Sequence, residues 1–315
     1  MSIAIFVTSE SEALQMIPWG IRFARAEHTD LLVMCPRKSK GKEVTEDMAV
    51  PNEESTPLHR AVFAELERLA CDDVVMRHEI SSGEASTDHD QVILSLKEVV
   101  APDPESSFVQ QVPKLGIQLL LIPTFEPVRS SNRDVAEWEE QLFNMAPCGV
   151  VCIRGTVSTE DNPLRLLFAS EQEEDTDDEF ALKQTARLGR ATKGKLTLLY
   201  VRPYDDKVAE QVAQRHLDRL EKTIKNRKLE IEKTIQQNDS FTDGINKVDL
   251  DEFDLVVAGT RSGKVIRQLL AQLKSNSEDK SVPLAIMRQA VPLTDQLWLR
   301  FKRFVRARIP QISRE

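Results

Sequence analysis

The sequence predicts an α/β protein of two tandem, doubly wound parallel-sheet domains, and three observations carry that prediction. First, the chain repeats itself: residues 13–36 (ALQMIPWGIRFARAEHTDLLVMCP) line up with 181–203 (ALKQTARLGRATKGKLTLLYVRP), QLLLIPT at 118–124 with DLVVAGT at 254–260, and CGVVCIR at 148–154 with VPLAIMR at 282–288. A repeat so long is a duplicated domain, because a solenoid unit runs only about 20–50 residues. Second, apolar strands alternate with helix-length amphipathic segments, which calls for right-handed crossovers and a parallel sheet. Third, strands such as LLLI and LVVA are apolar without a break, as a sheet covered on both faces requires. The 315 residues suffice for two separate cores. The first domain is placed at 1–157, the second at 158–290, and a basic amphipathic tail at 291–315.

Taken in order, Ile3–Val7 reads as a buried strand. Ser9 or Ser11 caps a helix that carries Ala13, Leu14, Ile17, Ile21 and Ala24 at helical spacing, and Pro18 kinks that helix or marks its first turn. Leu31–Cys35 is the second strand, and the polar stretch Arg37–Thr56, without apolar periodicity, reads as a mobile loop. A helix at 57–71, a strand at Val74–Ile80, a segment of no definite form at 81–116, a strand at 118–123, a helix at 134–145 and a strand at 149–153 complete the first unit. The second starts with a strand at Leu164–Ala169. Helices at 178–192, 205–226, 241–249 and 264–274 then alternate with strands at 195–201, 228–235, 254–258 and 283–287.

Composition narrows the function. The content is 41% hydrophobic and 30% charged, that of a soluble globular protein, and the opening MSIAIFVTSES is strand-like rather than basic, which predicts a cytoplasmic chain without an export signal. A formal charge of −9 disfavours nucleic acid as a partner. Four cysteines without a close pair suit a reducing compartment. Cys148 and Cys152 share one face of a strand but lie about 13 Å apart along it, too far for a disulfide or a shared metal, so both are expected in the core. His28, His59, His78, His89 and His216 show no metal spacing and read as surface or boundary residues. No metal site and no catalytic residues are predicted.

Two stretches carry a family resemblance. EQLFNMAPCGVVCIRG (140–155) resembles the closing helix and last strand of the universal stress proteins, and FDLVVAGTRSGKVIRQLL (253–270) resembles their aspartate-led fourth strand and the loop that follows it. The resemblance extends as a tandem pair over most of the chain and implies a Rossmann-like fold twice over. It also implies where a nucleotide would bind. Many members of that family hold ATP with a loop of pattern G-x2-G-x9-G-[S/T] after the fourth strand, where backbone N–H groups and a helix N-terminus meet the phosphates. Here Gly259 fits, Ser262 stands at the second glycine, and Gln272–Leu273 stand at the final pair. The turn Gly259, Thr260, Arg261, Ser262, Gly263 and Lys264 is therefore the candidate cofactor site, open to ATP or AMP or serving only as a strand-to-helix turn. It is not a P-loop, because Val265 follows the lysine.

The family's other nucleotide contact, an aspartate at the end of the first strand, is absent from both copies: Val7-Thr8-Ser9 and Phe168-Ala169-Ser170 stand there. The first copy's phosphate loop, Pro123 to Ser131, has no glycine, so its site is expected to be inactive. Residues 171–179 (EQEEDTDDE) put seven carboxylates in nine positions at the mouth of the second crevice. They read as a solvated loop whose last acids favour a helix N-terminus, with cation capture as the alternative, and they repel a bare triphosphate. The long helix at 205–226 reads as a core helix with a solvated back, or as a partner-binding face.

Beyond the second domain, Leu297, Trp298, Phe301, Phe304 and Val305 fall at helical spacing, and Arg300, Lys302, Arg303, Arg306, Arg308 and Arg314 outnumber Asp295 and Glu315. A basic amphipathic helix of this kind lies on an anionic membrane surface, leads into a membrane span, or docks on its own domain. The ending ARIPQISRE is similar to the stretch before the first span of a bacterial multi-pass membrane family of unknown function. The expected function is thus a non-enzymatic regulatory or sensory module, the cytosolic part of a transport-like membrane protein at the inner face of the cell membrane. The alternatives are a soluble ATP- or AMP-binding stress-response protein with one site, and an ATP-pyrophosphatase-like ligase, for which neither first loop supplies a glycine. The expected partners are a second copy of the chain and, through Arg300, Lys302, Arg303, Arg306 and Arg308, an anionic membrane or attached membrane domain.

Overall fold

A computed structural model describes residues 2–41, 44–47, 50–51, 55–71, 73–76, 91–123, 143, 146–157, 162–170, 176–224, 228–260, 263–273 and 282–291. The strands are β1 (Ser2–Phe6), β2 (Asp30–Lys38), β3 (Val44–Asp47), β4 (Val74–Met76), β5 (Val92–Ala101), β6 (Ile117–Pro123), β7 (Gly149–Arg154), β8 (Arg165–Ser170), β9 (Lys195–Arg202), β10 (Glu230–Gln237), β11 (Leu255–Gly259) and β12 (Leu284–Arg288). The helices are α1 (Glu10–Glu27), α2 (Pro57–Leu69), α3 (Pro104–Gln111), α4 (Thr176–Ala191), α5 (Lys207–Ile224), α6 (Phe241–Asn246) and α7 (Gly263–Gln272).

Among the described residues the strands form one 12-stranded sheet in the order β10-β9-β8-β11-β12-β7-β6-β1-β2-β5-β3, with β4 paired to β5. Each half has its first strand central, its second and third to one side and its fourth and fifth to the other. Pairing is parallel within both halves except at the β3 edge. The halves meet where β7 and β12 run antiparallel, with Cys152 opposite Ile286.

Strand alternation puts successive side chains on opposite faces, and both faces are dry. Ile3, Ile5, Leu121, Val151, Phe168, Leu198, Val257 and Met287 pack under α1, α2, α4 and α5. Ala4, Phe6, Leu120, Cys152, Ala169, Leu199, Ala258 and Ile286 pack under α3, α6 and α7. Each layer is continuous across the seam, so neither half closes its core alone. Cys152, on β7, and Cys148, just before it, are both buried.

Several details differ from the sequence reading. β2 runs on to Lys38 and residues 44–47 pair antiparallel with β5, so the polar stretch 37–56 is in part an edge of the sheet. The formless segment 81–116 contains β5 and α3, and β5 rather than the strand at 74–80 pairs with β2 as the third strand; residues 77–90 lie outside the described residues. α1 is capped by Ser9, which accepts from the Glu12 amide at 3.3 Å, and it runs through Pro18. Of the helix expected at 134–145 only Phe143 is described, and the whole of 292–315 lies outside the described residues. Among the described residues no helix is long and apolar enough to cross a membrane.

Candidate functional site

In a doubly wound sheet the crevice lies at the carboxyl ends of the strands, where the order reverses beside the first strand. In the second half that point is bounded by Ser170 closing β8, Arg202 closing β9 and Gly259 closing β11. The candidate turn starts here. Gly259 is in register with Met287, and Thr260, 8% exposed, donates its amide to the Met287 carbonyl at 3.1 Å. Arg261 and Ser262 lie outside the described residues. Gly263 and Lys264 open α7.

What fills the crevice is the start of α4. A Cβ at Gly259 would stand 2.6 Å from the Asp178 backbone nitrogen and closer still to the Asp177 carbonyl oxygen. The glycine is therefore demanded by the approach of a helix end, a close backbone contact that no side chain permits. Asp177 is fully buried and accepts from the Gln289 amide at 2.7 Å. Asp178 is buried too, and the Ser170 hydroxyl donates to it at 2.6 Å. Asp177 and Asp178 of the run 171–179 thus face the protein rather than solvent, and each finds an N–H or O–H donor, whereas Glu179 is exposed and pairs with Lys183.

A second group completes the arrangement. His216, on α5, lies with Nε2 3.1 Å from the Ser170 hydroxyl and Nδ1 3.3 Å from an Arg219 nitrogen, and its ring sits 5.0 Å from that of Tyr200. Only 4% exposed, it is not the surface or boundary histidine expected from sequence. Burial, aided by the Arg219 charge, lowers its pKa to about 4, so the imidazole is neutral at ordinary pH. Ser170 sits between carboxylate and imidazole. In a hydrolytic triad the imidazole stands between the other two, so this order does not activate the hydroxyl. The network instead ties α4 and α5 to the end of β8.

The first half is closed in the same manner. Glu12, in the first turn of α1, accepts from the Thr8 amide at 2.6 Å and from the Thr8 hydroxyl at 2.9 Å. On the opposite face of the sheet the rings of Phe6 and Phe108 stack at 4.2 Å with planes 6° apart, so α3 covers the end of β1. In both halves an acid from the first turn of the helix after the first strand occupies the hydroxyl at that strand's end. The sequence reading noted the missing family aspartates but not their replacement. A carboxylate in the first helical turn beside a strand-end Ser or Thr is the local signal that could have found it. Among the described residues no cluster of His, Cys, Asp and Glu has the make-up of a metal site.

No protein-family model and no curated protein matches the sequence. Solved structures do. The cytoplasmic domain of a prokaryotic cation chloride cotransporter is 12% identical with a TM-score of 0.53, covering 92% of this chain and 95% of that one. A universal stress protein from Archaeoglobus fulgidus is 13% identical with a TM-score of 0.51, covering 91% and 96%. A Pseudomonas aeruginosa protein described as a universal stress protein is 13% identical with a TM-score of 0.50, covering 95% and 96%. Identities this low speak to fold alone, and with the strand order and the doubly covered sheet they establish that this chain has the universal stress protein fold, Rossmann-like and mostly parallel.

Proposed function

We propose that the chain is a non-enzymatic regulatory or sensory module that works as the cytosolic part of a transport-type membrane protein, at the inner face of the membrane. The observation that carries this reading is the closure of both strand-end crevices by the protein's own acids, Glu12 on Thr8 and Asp178 on Ser170. An anionic ligand entering there would have to displace a hydrogen-bonded carboxylate, half-buried at Glu12 and buried at Asp178, and then face its charge. The likeness in fold to a transporter's cytoplasmic domain, and the basic amphipathic stretch 292–315 with Arg300, Lys302, Arg303, Arg306 and Arg308, support the membrane setting. Co-sedimentation with anionic vesicles tests it: binding is expected, weakened by salt and removed by deleting 292–315. Equal partitioning of the intact and shortened chains would refute it.

A second reading, a single ATP or AMP site in the second half, has one observation in its favour: α7 begins at Gly263, directly beyond the end of β11, where helix amides can meet an anion. Calorimetry with Mg-ATP separates the two. The regulatory reading expects no saturable heat. The nucleotide reading expects one site, lost on Gly263→Val.

A further inference from the structure

α5 carries an apolar surface that its own half leaves open. His216 meets Ser170 at the end of β8, and α5 starts at Lys207, about 13 Å of helix earlier. Its first turns therefore project past the carboxyl edge of the sheet. Tyr204, just before the helix, and Val208, in its first turn, are each 68% exposed, the most of any large apolar side chain among the described residues. Val208, Val212, Arg215 and Arg219 recur at helical spacing and form one stripe. Its lower part lines a cavity of about 210 Å³ with His216, so the stripe lies on the flank of α5 that turns to Ser170 and α4.

Toward the amino end of α5 this flank changes character in order. Arg219 and Arg215 come first, Val212, Val208 and Tyr204 next, and Asp206 and Asp205 last. Asp205 keeps its side chain 71% exposed although Arg202 touches it, and Asp206 accepts the Ala209 amide at 2.6 Å. Lys207 stands among these acids, but the run 171–175, which joins Ser170 to Thr176, adds four carboxylates to the charge of this edge.

The last described residues of the chain come close to the same flank. The Gln289 amide bonds Asp177, the adjoining Asp178 receives the Ser170 hydroxyl, and that hydroxyl touches His216. From Val291, the chain to Asp295 spans up to about 13 Å. Beyond that point the tail shows an order complementary to the flank: the acid Asp295, then the apolar Leu297, Trp298 and Phe301, then Lys302, Arg303, Arg306 and Arg308. As a helix, Asp295 to Arg308 measures about 20 Å, the same as Arg219 back to Asp206.

The geometry points to an intramolecular dock: the tail 292–315 lies antiparallel along α5, with Asp295 beside Arg215 and Arg219, its apolar face over Val212, Val208 and Tyr204, and its bases beside Asp206 and Asp205. A short tether holds the tail at a local concentration on the order of millimolar, which lets a small apolar patch capture it. The dock stands on the α5 surface alone. Its regulatory meaning rests on the membrane reading above: bases held against α5 are withheld from anionic lipid, so the docked tail is the unattached state.

The test uses the full chain without vesicles and reads Trp298 as the difference in emission between the chain and its Trp298→Phe form. Trp298 is expected to be shielded from acrylamide. Tyr204→Ser combined with Val208→Ser, at two exposed positions and with an equal thermal midpoint as the check on folding, should raise its quenching severalfold and shift its emission to the red. Equal quenching in the parent and the double variant overturns the dock, whether Trp298 is open in both or shielded in both. Shielding that grows with protein concentration assigns the tail to a second copy and overturns it too. Anionic vesicles then judge the regulatory meaning. The double variant should bind them severalfold more tightly, and equal binding overturns the competition. No vesicle binding by either protein, with the quenching difference present, refutes the membrane setting and leaves the dock in place.

Discussion

Arg288, buried at the end of the second half's last strand, donates from Nη2 to the carbonyl of Ala146 in the first half at 3.2 Å. Its guanidinium also lies 5.7 Å from the centre of the Phe143 ring. Arg154, at the end of the first half's last strand, reaches the other way and donates from Nη1 to the Leu270 carbonyl at 2.7 Å. The two antiparallel strands are thus locked at both ends by side chains that cross the seam. Together with the continuous core layers, these contacts predict that the two halves unfold as one cooperative unit.

Replacing Arg288 with Met keeps much of the apolar stem but leaves a buried carbonyl without that donor. The expected cost is about 1–3 kcal/mol, read as a lower urea midpoint for the whole chain in a single transition. A second transition, with one half melting before the other, would contradict the cooperative seam.

Gly259→Ala should destabilise the protein by about 1–3 kcal/mol, since the new methyl would push into the backbone of Asp177 and Asp178 and there is no flexible side chain to give way. Thermal unfolding measures it. An Ala variant as stable as the parent would mean that the glycine serves a ligand instead of the α4 contact.

His216 links stability to pH with a definite sign. The folded pKa of about 4 lies below the unfolded value near 6.5, so the unfolded chain binds the proton first as pH falls. The contribution is complete above about pH 6.5 and is lost as the pH drops through about 4. Unfolding free energies of the parent and His216→Gln, measured from pH 8 to 4, should therefore converge toward the acid end. A constant gap across that range would show that the imidazole does not titrate as its burial requires.

Phe108→Ala removes the ring stacked on Phe6 and opens the end of β1. A loss of about 3–5 kcal/mol is expected for deleting a buried phenyl, with no gain in Mg-ATP binding because Glu12 still occupies Thr8. Chemical denaturation and calorimetry check the two halves of this statement independently.

Much of the fold was legible in the residues themselves. Uninterrupted apolar strands such as Leu119–Ile122 and Leu255–Ala258 can only be covered on both faces, and helix-length spacers between them force a parallel sheet, so periodicity and length determined the architecture. The strands 149–153 and 283–287 named themselves as last in each repeat. Edges were harder: β3 and the polar half of β5 gain their structure from hydrogen bonds to a neighbouring strand rather than from apolar alternation, which leaves little trace in composition.

Tertiary structure decided what residue type leaves open. The sequence match sets Ala13 beside Ala181, whereas the helix ends set it beside Asp178, because a slip of about one helical turn preserves the apolar face and only the left-handed caps at His28 and Lys193 break the tie. Asp177 and Asp178 belong to a run that composition marks as solvated, yet they are buried, since the amide of Gln289 arrives from beyond the distant last strand to receive Asp177 and the Ser170 hydroxyl at the end of the preceding strand receives Asp178. His216 is drawn inside by Ser170 and Tyr200 for the same reason. A pattern along the chain records which face is apolar; which donor meets which acid depends on residues the fold brings together from afar, and that pairing exists only once the chain has closed on itself.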